Sequence, residues 1–158
     1  MLSLQSGKYK GMTVTLRRNE VGTAERQLGV RLAMSGHDDD EYAYRLEQFK
    51  TLAGKNHSSP FSRLDAETIY RERWLSSVGY CLPITQFDVK QCKAIQSPFL
   101  NAILPKMGFN RHFPRAVVFG PKCYQGKGLD DYEVKQYTSH LTRFVGYLQM
   151  EGNIGNLL

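Results

Sequence analysis

Hydrophobic residues recur with two different periods along this 158-residue chain. Near the start the period is two. Met12-Thr13-Val14-Thr15-Leu16 and Leu28-Gly29-Val30-Arg31-Leu32-Ala33-Met34 both alternate apolar with polar positions, as half-buried strands do. The stretch between them, Arg17–Gln27, is polar and contains Gly22, so the economical expectation is one hairpin built from these two strands. A lone two-stranded hairpin is marginal in water, and this one has no partner sheet before it.

Beyond residue 36 the period lengthens to that of a helix. Ser35-Gly36-His37 leads into Asp38-Asp39-Asp40-Glu41, acids that suit the positive end of a helix whose apolar face is Tyr42, Leu46, Phe49 and Ala53. After the polar break Gly54–Pro60, Ser62 is an N-cap for a second helix through Ala66, Ile69, Tyr70, Trp74, Leu75 and Val78. Gly79–Thr85, with Pro83, interrupts it. Asp88 caps a third helix through Val89, Cys92, Ile95 and Gln96, which Pro98 kinks or restarts, and Phe99, Ile103 and Leu104 carry the stripe on to Pro105. Lys106–Asn110 reads as a loop, Arg115–Phe119 as a short strand or extended segment, and Gly120, Pro121, Gly126 and Gly128 as a turn-rich passage. A last helix starts near Asp130 and buries Tyr137, Leu141, Phe144, Val145 and Leu148, after which Glu151–Leu158 frays. The expected fold is mainly α with a small N-terminal β-hairpin (α+β), divided into a hairpin over residues 1–36 and a helical bundle over residues 37–158.

Composition fits an ordinary globular chain, 41% hydrophobic and 23% charged, with a formal charge of +6 and a pI of about 9.3. The excess charge is uneven. Residues 90–158 hold nine of the 21 Lys and Arg but only four of the 15 Asp and Glu. Between Val89 and Leu129 stand Lys90, Lys93, Lys106, Arg111, Arg115, Lys122 and Lys127 with no Asp or Glu, interleaved with Phe99, Phe109, Phe113, Phe119 and Tyr124. Positive charge without local carboxylates, next to aromatic planes, suits a nucleic acid. The bland alternative is that the charge keeps the chain soluble and the aromatics belong to the core.

Little else in the sequence carries chemistry. Asp38–Glu41 resembles a two-metal site only superficially, since successive helical residues point about 100° apart and cannot converge on one ion. Cys81, Cys92, His112 and Cys123 lie ten or more residues from one another, which excludes a compact zinc module. There is no Gly-x-Ser-x-Gly elbow, and Gly126-x-Gly128 reads as a turn. His57 and His112 read as solvent-facing or hydrogen-bonded. No catalytic residue, metal ligand or cofactor is therefore assigned. Three widely spaced cysteines argue against a disulfide framework, no apolar run reaches the roughly 20 residues that cross a bilayer, and Met1–Gly11 carries no leader pattern. An intracellular site, cytoplasmic or nuclear, with no membrane contact is expected. What remains is Lys106-Met107-Gly108-Phe109-Asn110-Arg111-His112-Phe113-Pro114-Arg115. Arg111 and Arg115 can fork onto phosphates, Asn110 and His112 add hydrogen bonds, and Gly108 lets a backbone approach a ligand. A structural loop whose arginines pair with carboxylates of the first half is the competing reading.

Three runs resemble a known family: Arg73-Trp74-Leu75-Ser76-Ser77-Val78-Gly79-Tyr80-Cys81-Leu82-Pro83-Ile84-Thr85; Gln91-Cys92-Lys93-x-Ile95-Gln96-Ser97-Pro98; and Leu104-Pro105-Lys106-Met107-Gly108-Phe109-Asn110-Arg111-His112-Phe113-Pro114-Arg115-Ala116-Val117-Val118-Phe119-Gly120-Pro121. Together they are similar to the region C-terminal to the polymerase palm in reverse transcriptase-like proteins of eukaryotic non-LTR-type retroelements, a similarity that covers most of residues 20–148. Glu25-Arg26-Gln27-Leu28-Gly29-Val30 looks like that family's Arg-x-Leu-Gly-Val strand, which closes the palm before the thumb. Gln125-Gly126-Lys127-Gly128-Leu129 stands where relatives tend to have a Gly-Gly-x-Gly-Leu turn.

The resemblance implies an RNA-directed DNA polymerase of which this chain is the late palm, thumb and connection. Reverse transcriptases hold Mg²⁺ with a Tyr-x-Asp-Asp pair and an earlier Asp; this chain has neither, and Asp38–Asp40 falls after the Leu-Gly-Val strand, so no catalytic role passes to it. The implied function is non-sequence-specific binding of the backbone of an RNA, DNA or hybrid duplex through Lys90, Lys93, Lys106, Asn110, Arg111, His112, Arg115, Lys122 and Lys127, with the missing palm and fingers as a further partner. The alternative is a helical protein-interaction or structural module without a nucleic-acid role.

Overall fold

The computed structural model describes residues 2–5, 13–16 and 20–150; Met12 and the expected frayed end Glu151–Leu158 lie outside them. The chain forms two compact units, Met1–Asp40 and Glu41–Leu158. Among the described residues the first holds four short strands and the second only helices and turns, so the architecture is mainly helical with a small antiparallel β component at the N-terminus.

The pairing of those strands differs from the single hairpin expected. β1 (Leu2–Gln5) pairs with β2 (Thr13–Leu16), and β3 (Glu25–Gln27) pairs with β4 (Val30–Leu32), as two separate antiparallel ribbons. Leu28 and Gly29 are not strand residues. They form the two-residue turn between β3 and β4, both at positive φ, 49° and 93°. A two-residue turn of this kind matches the right-handed twist of its strands, and it brings Gln27 opposite Val30, so Val30 is paired locally and β2 is left to the nearer Leu2–Gln5.

In the second unit, α1 (Asp39–Ser58) turns Glu41, Arg45, Phe49, Ala53 and Asn56 inward. The stripe is shifted by one residue from Tyr42 and Leu46, which are only half-buried, because Arg45 Nε donates to Glu41 Oε1 at 2.6 Å and Arg45 Nη1 donates to the Ser77 carbonyl at 3.3 Å. α2 (Arg63–Thr68) begins at Ser62, whose hydroxyl and backbone engage Asp65 in a reciprocal capping box. It continues through a π-helical segment, Ile69–Trp74, into α3 (Leu75–Gly79); the Leu75 N–H donates five residues back, to the Tyr70 carbonyl. α4 (Val89–Ile103) starts at Asp88 with a second capping box to Gln91 and runs through Pro98 without a break.

The core gathers around Trp74, which is wholly buried. Tyr70 and Phe99 stack against it at centroid distances of 4.9 and 5.4 Å and lie 6.0 Å from each other, and Phe49 and Tyr132 approach at 5.9 Å each. Arg115–Phe119 forms a short helix, α5, rather than a strand: Val117 and Val118 both donate to the Pro114 carbonyl. The glycine passage after it folds back on the same helix. Lys127 and Leu129 donate to the Val117 and Val118 carbonyls, and a Cβ on Gly126 would lie 2.1 Å from the Gly120 oxygen, so only glycine fits there.

The last helix, α6 (Tyr132–Leu148), is capped by Asp131 and attached by polar residues. Gln136 accepts from the Phe87 N–H and donates to the Phe87 carbonyl, His140 Nε2 donates to the Leu82 and Thr85 carbonyls, and Arg143 donates to the Pro83 carbonyl. The face expected to be buried is outside: Tyr137, Leu141, Phe144, Val145 and Leu148 are all exposed. The irregular segment Leu82–Phe87 has backbone groups that need partners, and the polar side of α6 supplies them at Leu82, Pro83, Thr85 and Phe87. No helix among the described residues is long and apolar enough to cross a membrane.

Candidate nucleic-acid interface

The nine residues singled out by sequence fall into three places. Lys90 and Lys93 lie on the exposed side of α4, in line with Ser97 and Asn101 at helical spacing. Arg115, at the first turn of α5, donates from Nη2 to Asn101 Oδ1 at 3.4 Å and to the Arg111 carbonyl at 3.3 Å. Arg111 reaches the other way, to His57 Nε2 at 3.4 Å; a guanidinium has no acceptor, so the imidazole accepts here through an unprotonated nitrogen. Lys90, Lys93, Arg115 and Arg111 thus run along one face, and none of them is ion-paired among the described residues.

A cleft of about 360 Å³ opens along this face between α4 and α5. Leu100, Ala116 and Phe119 give it an apolar wall, and Lys93, Arg115, Ser97, Gln96 and Asp131 give it polar edges. Gln96 is held by its amide nitrogen, which donates to the Tyr70 hydroxyl and the Asp130 carbonyl. Arg115 Nη1 is buried without a partner, an unsatisfied cationic donor that a protein ordinarily pairs.

Lys122 and Lys127 belong elsewhere. Both meet Glu67, a carboxylate that Arg71 also approaches at 3.5 Å. The hydrogen bond from Lys127 holds the Glu67 carboxyl below its usual range against the opposing effect of its partial burial, with Lys122 and Arg71 adding to the effect. Carboxylates of the first half therefore do neutralise part of the basic stretch, through the two lysines and not through Arg111 or Arg115.

The Lys106 loop is likewise structural on one side. Lys106 donates to the Ser59 carbonyl and lies over the Phe61 ring. Gly108, at a φ of +86°, is approached by the Arg63 guanidinium, which sits over Phe109, so the space it frees is already filled. Asn110 and His112 are exposed, and the Asn110 side chain accepts from the His112 N–H at 2.9 Å to close their turn. Among the interleaved aromatics, Phe99 is core, Phe109 and Phe113 pack on each other at 4.7 Å, and Phe119 and Tyr124 remain accessible.

Sequence reasoning missed Asn101 and His57 as members of the cationic face and Glu67 as the residue that withdraws two lysines from it. Asn101 was legible, eight residues beyond Lys93 on one helix; His57 and Glu67 are brought in by tertiary packing. No three His, Cys, Asp or Glu residues among the described residues are grouped to hold a metal ion, and Glu41, the last of the acidic run, points inward to Arg45. Comparison with protein-family models, with curated proteins and with solved structures finds no match to this chain.

Proposed function

We propose that this chain is the late-palm and thumb part of a reverse transcriptase-like protein of non-LTR-type retroelements, acting inside the cell, and that it grips the backbone of an RNA, DNA or hybrid duplex without a polymerase site of its own. The observation that carries the binding reading is the face of four cations, Lys90, Lys93, Arg111 and Arg115, without ion pairs among the described residues and bordered by a cleft with an apolar wall. Such a face meets phosphates by charge and shape, and little base specificity follows. A smaller observation supports the family reading: Gln125 has a φ of 61°, a conformation glycine adopts more readily, at the position where the resembled turn has glycine. The palm and fingers of the polymerase are then the natural complement of this chain.

Fluorescence anisotropy with labelled duplexes across a salt series tests the proposal. Neutralising four or five phosphates gives a slope of about −4 in log K against log salt. The double variant Arg111→Ala/Arg115→Ala is expected to lower that slope by about 2 with unchanged thermal unfolding. A salt-independent affinity overturns the binding mode. A helical interaction module is the second reading, and the exposed apolar side of α6 favours it.

A further inference from the structure

α6 is attached by its polar side and presents its apolar side to solvent. Val134, Tyr137, Leu141, Phe144 and Leu148 follow one another at intervals of three, four, three and four residues, and with Val145 beside them they are between 46% and 64% exposed. A strict three-four spacing is the seam along which one helix packs on another, because it keeps a single line of side chains facing the partner over successive turns. Isolated exposed apolar residues need no explanation, but a continuous line of six marks an interaction surface.

The flanks of the seam indicate which helix fits. Coiled-coil partners are selected by charges at the positions bordering the seam. Here those positions are Glu133 at the very start, then Thr138, His140, Val145 and Tyr147, while the cations Lys135 and Arg143 stand further round and Arg143 is bound to the Pro83 carbonyl and the Tyr147 hydroxyl. No charge code selects a foreign partner, and no row of like charges keeps two identical seams apart. We propose that α6 docks on α6 of a second copy of this chain, antiparallel about a two-fold axis at Leu141. That arrangement sets Tyr137 opposite Val145 and Val134 opposite Leu148, with Phe144 in the next layer, and it opposes the two helix dipoles. Six half-exposed apolar side chains from each copy offer on the order of 1,000 Å² of contact, the size at which a specific interface becomes stable. The pairing does not depend on nucleic-acid binding.

Sedimentation velocity on the full chain between about 1 and 200 µM, the range in which a contact of this size exchanges, decides the matter. A monomer–dimer equilibrium is expected, with Leu141→Glu raising the dissociation constant at least tenfold at unchanged helical circular dichroism, and Thr142→Glu, off the seam, leaving it in place. If Leu141→Glu loses helicity, Phe144→Ser takes its role with the same expected weakening. A chain that stays monomeric at the highest concentration, or a dimer that both seam variants leave intact, overturns the proposal.

Discussion

The carboxylate of Glu67 receives the ammonium of Lys127, 60 residues further along the chain, and with it the approach of Arg71 and Lys122. Because the folded state holds the Glu67 carboxyl below its unfolded value, the stabilisation is complete above the ordinary glutamate range near about 4.3 and is lost as pH falls through the lower, folded value. Lys127→Met is expected to raise the Glu67 midpoint, read by carboxyl ¹³C NMR, and to cost about 1 kcal/mol in a partly buried pair. The same variant should leave the salt slope of duplex binding where it is, in contrast to the arginine variants.

Making α6 more hydrophobic on its buried side should weaken the protein. Gln136→Leu removes both amide hydrogen bonds to the Phe87 backbone, leaving the buried N–H unpaired and the carbonyl with only the weak Cys92 thiol donor, at an expected cost of about 2–3 kcal/mol by urea unfolding. Leu141→Ser, measured at submicromolar protein, should lie within about 0.5 kcal/mol of the parent, as a solvent-facing substitution does.

Arg45 compensates Glu41 inside the helical unit, where both side chains are almost wholly enclosed. Arg45→Met removes the cation that faces a buried carboxylate and should destabilise by about 3–5 kcal/mol, whereas replacing both residues together, Glu41→Leu with Arg45→Met, should recover most of that loss. A double variant as unstable as the single one would show that the hydrogen bonds from Arg45 to Gln48 and the Ser77 carbonyl matter more than its charge.

The three thiols should separate cleanly. Cys123 is exposed, Cys81 is buried, and burial pushes the Cys92 thiol up to about 12. Since the thiolate is the reactive form, one equivalent of Ellman's reagent is expected to react rapidly in the native protein and the other two only on unfolding. Cys123→Ser should abolish the fast phase.

Where the chain contains its own punctuation, the structure follows it. Ser62-x-x-Asp65 and Asp88-x-x-Gln91 each start a helix, and both caps depend only on residues three apart. The mismatches occur where a distant segment decides. Arg115-Ala116-Val117-Val118-Phe119 has the β-branched composition of a strand, but it stands between Pro114 and Gly120 and closes a helical turn instead, with Val117 and Val118 donating to the Pro114 carbonyl. The apolar line of α6 has the right period for a buried face, yet period alone cannot tell that Leu82–Phe87 would need hydrogen-bond partners, which Gln136, His140 and Arg143 provide from the opposite side. The cationic face was half legible: the helical spacing of Lys90 and Lys93 is local, whereas the removal of Lys122 and Lys127 by Glu67 depends on the folded arrangement.

The stack of Tyr70, Trp74 and Phe99 gives the chain an optical gauge. Trp74 is the single tryptophan, and its indole nitrogen is enclosed with no hydrogen-bond partner, so its fluorescence should be emitted at short wavelength from a site that water does not relax. Its emission therefore reports on the helical unit from Glu41 onward, to which it belongs. A difference between the tryptophan transition and the far-ultraviolet transition would thus measure, in one cuvette, whether the two halves of this chain unfold together.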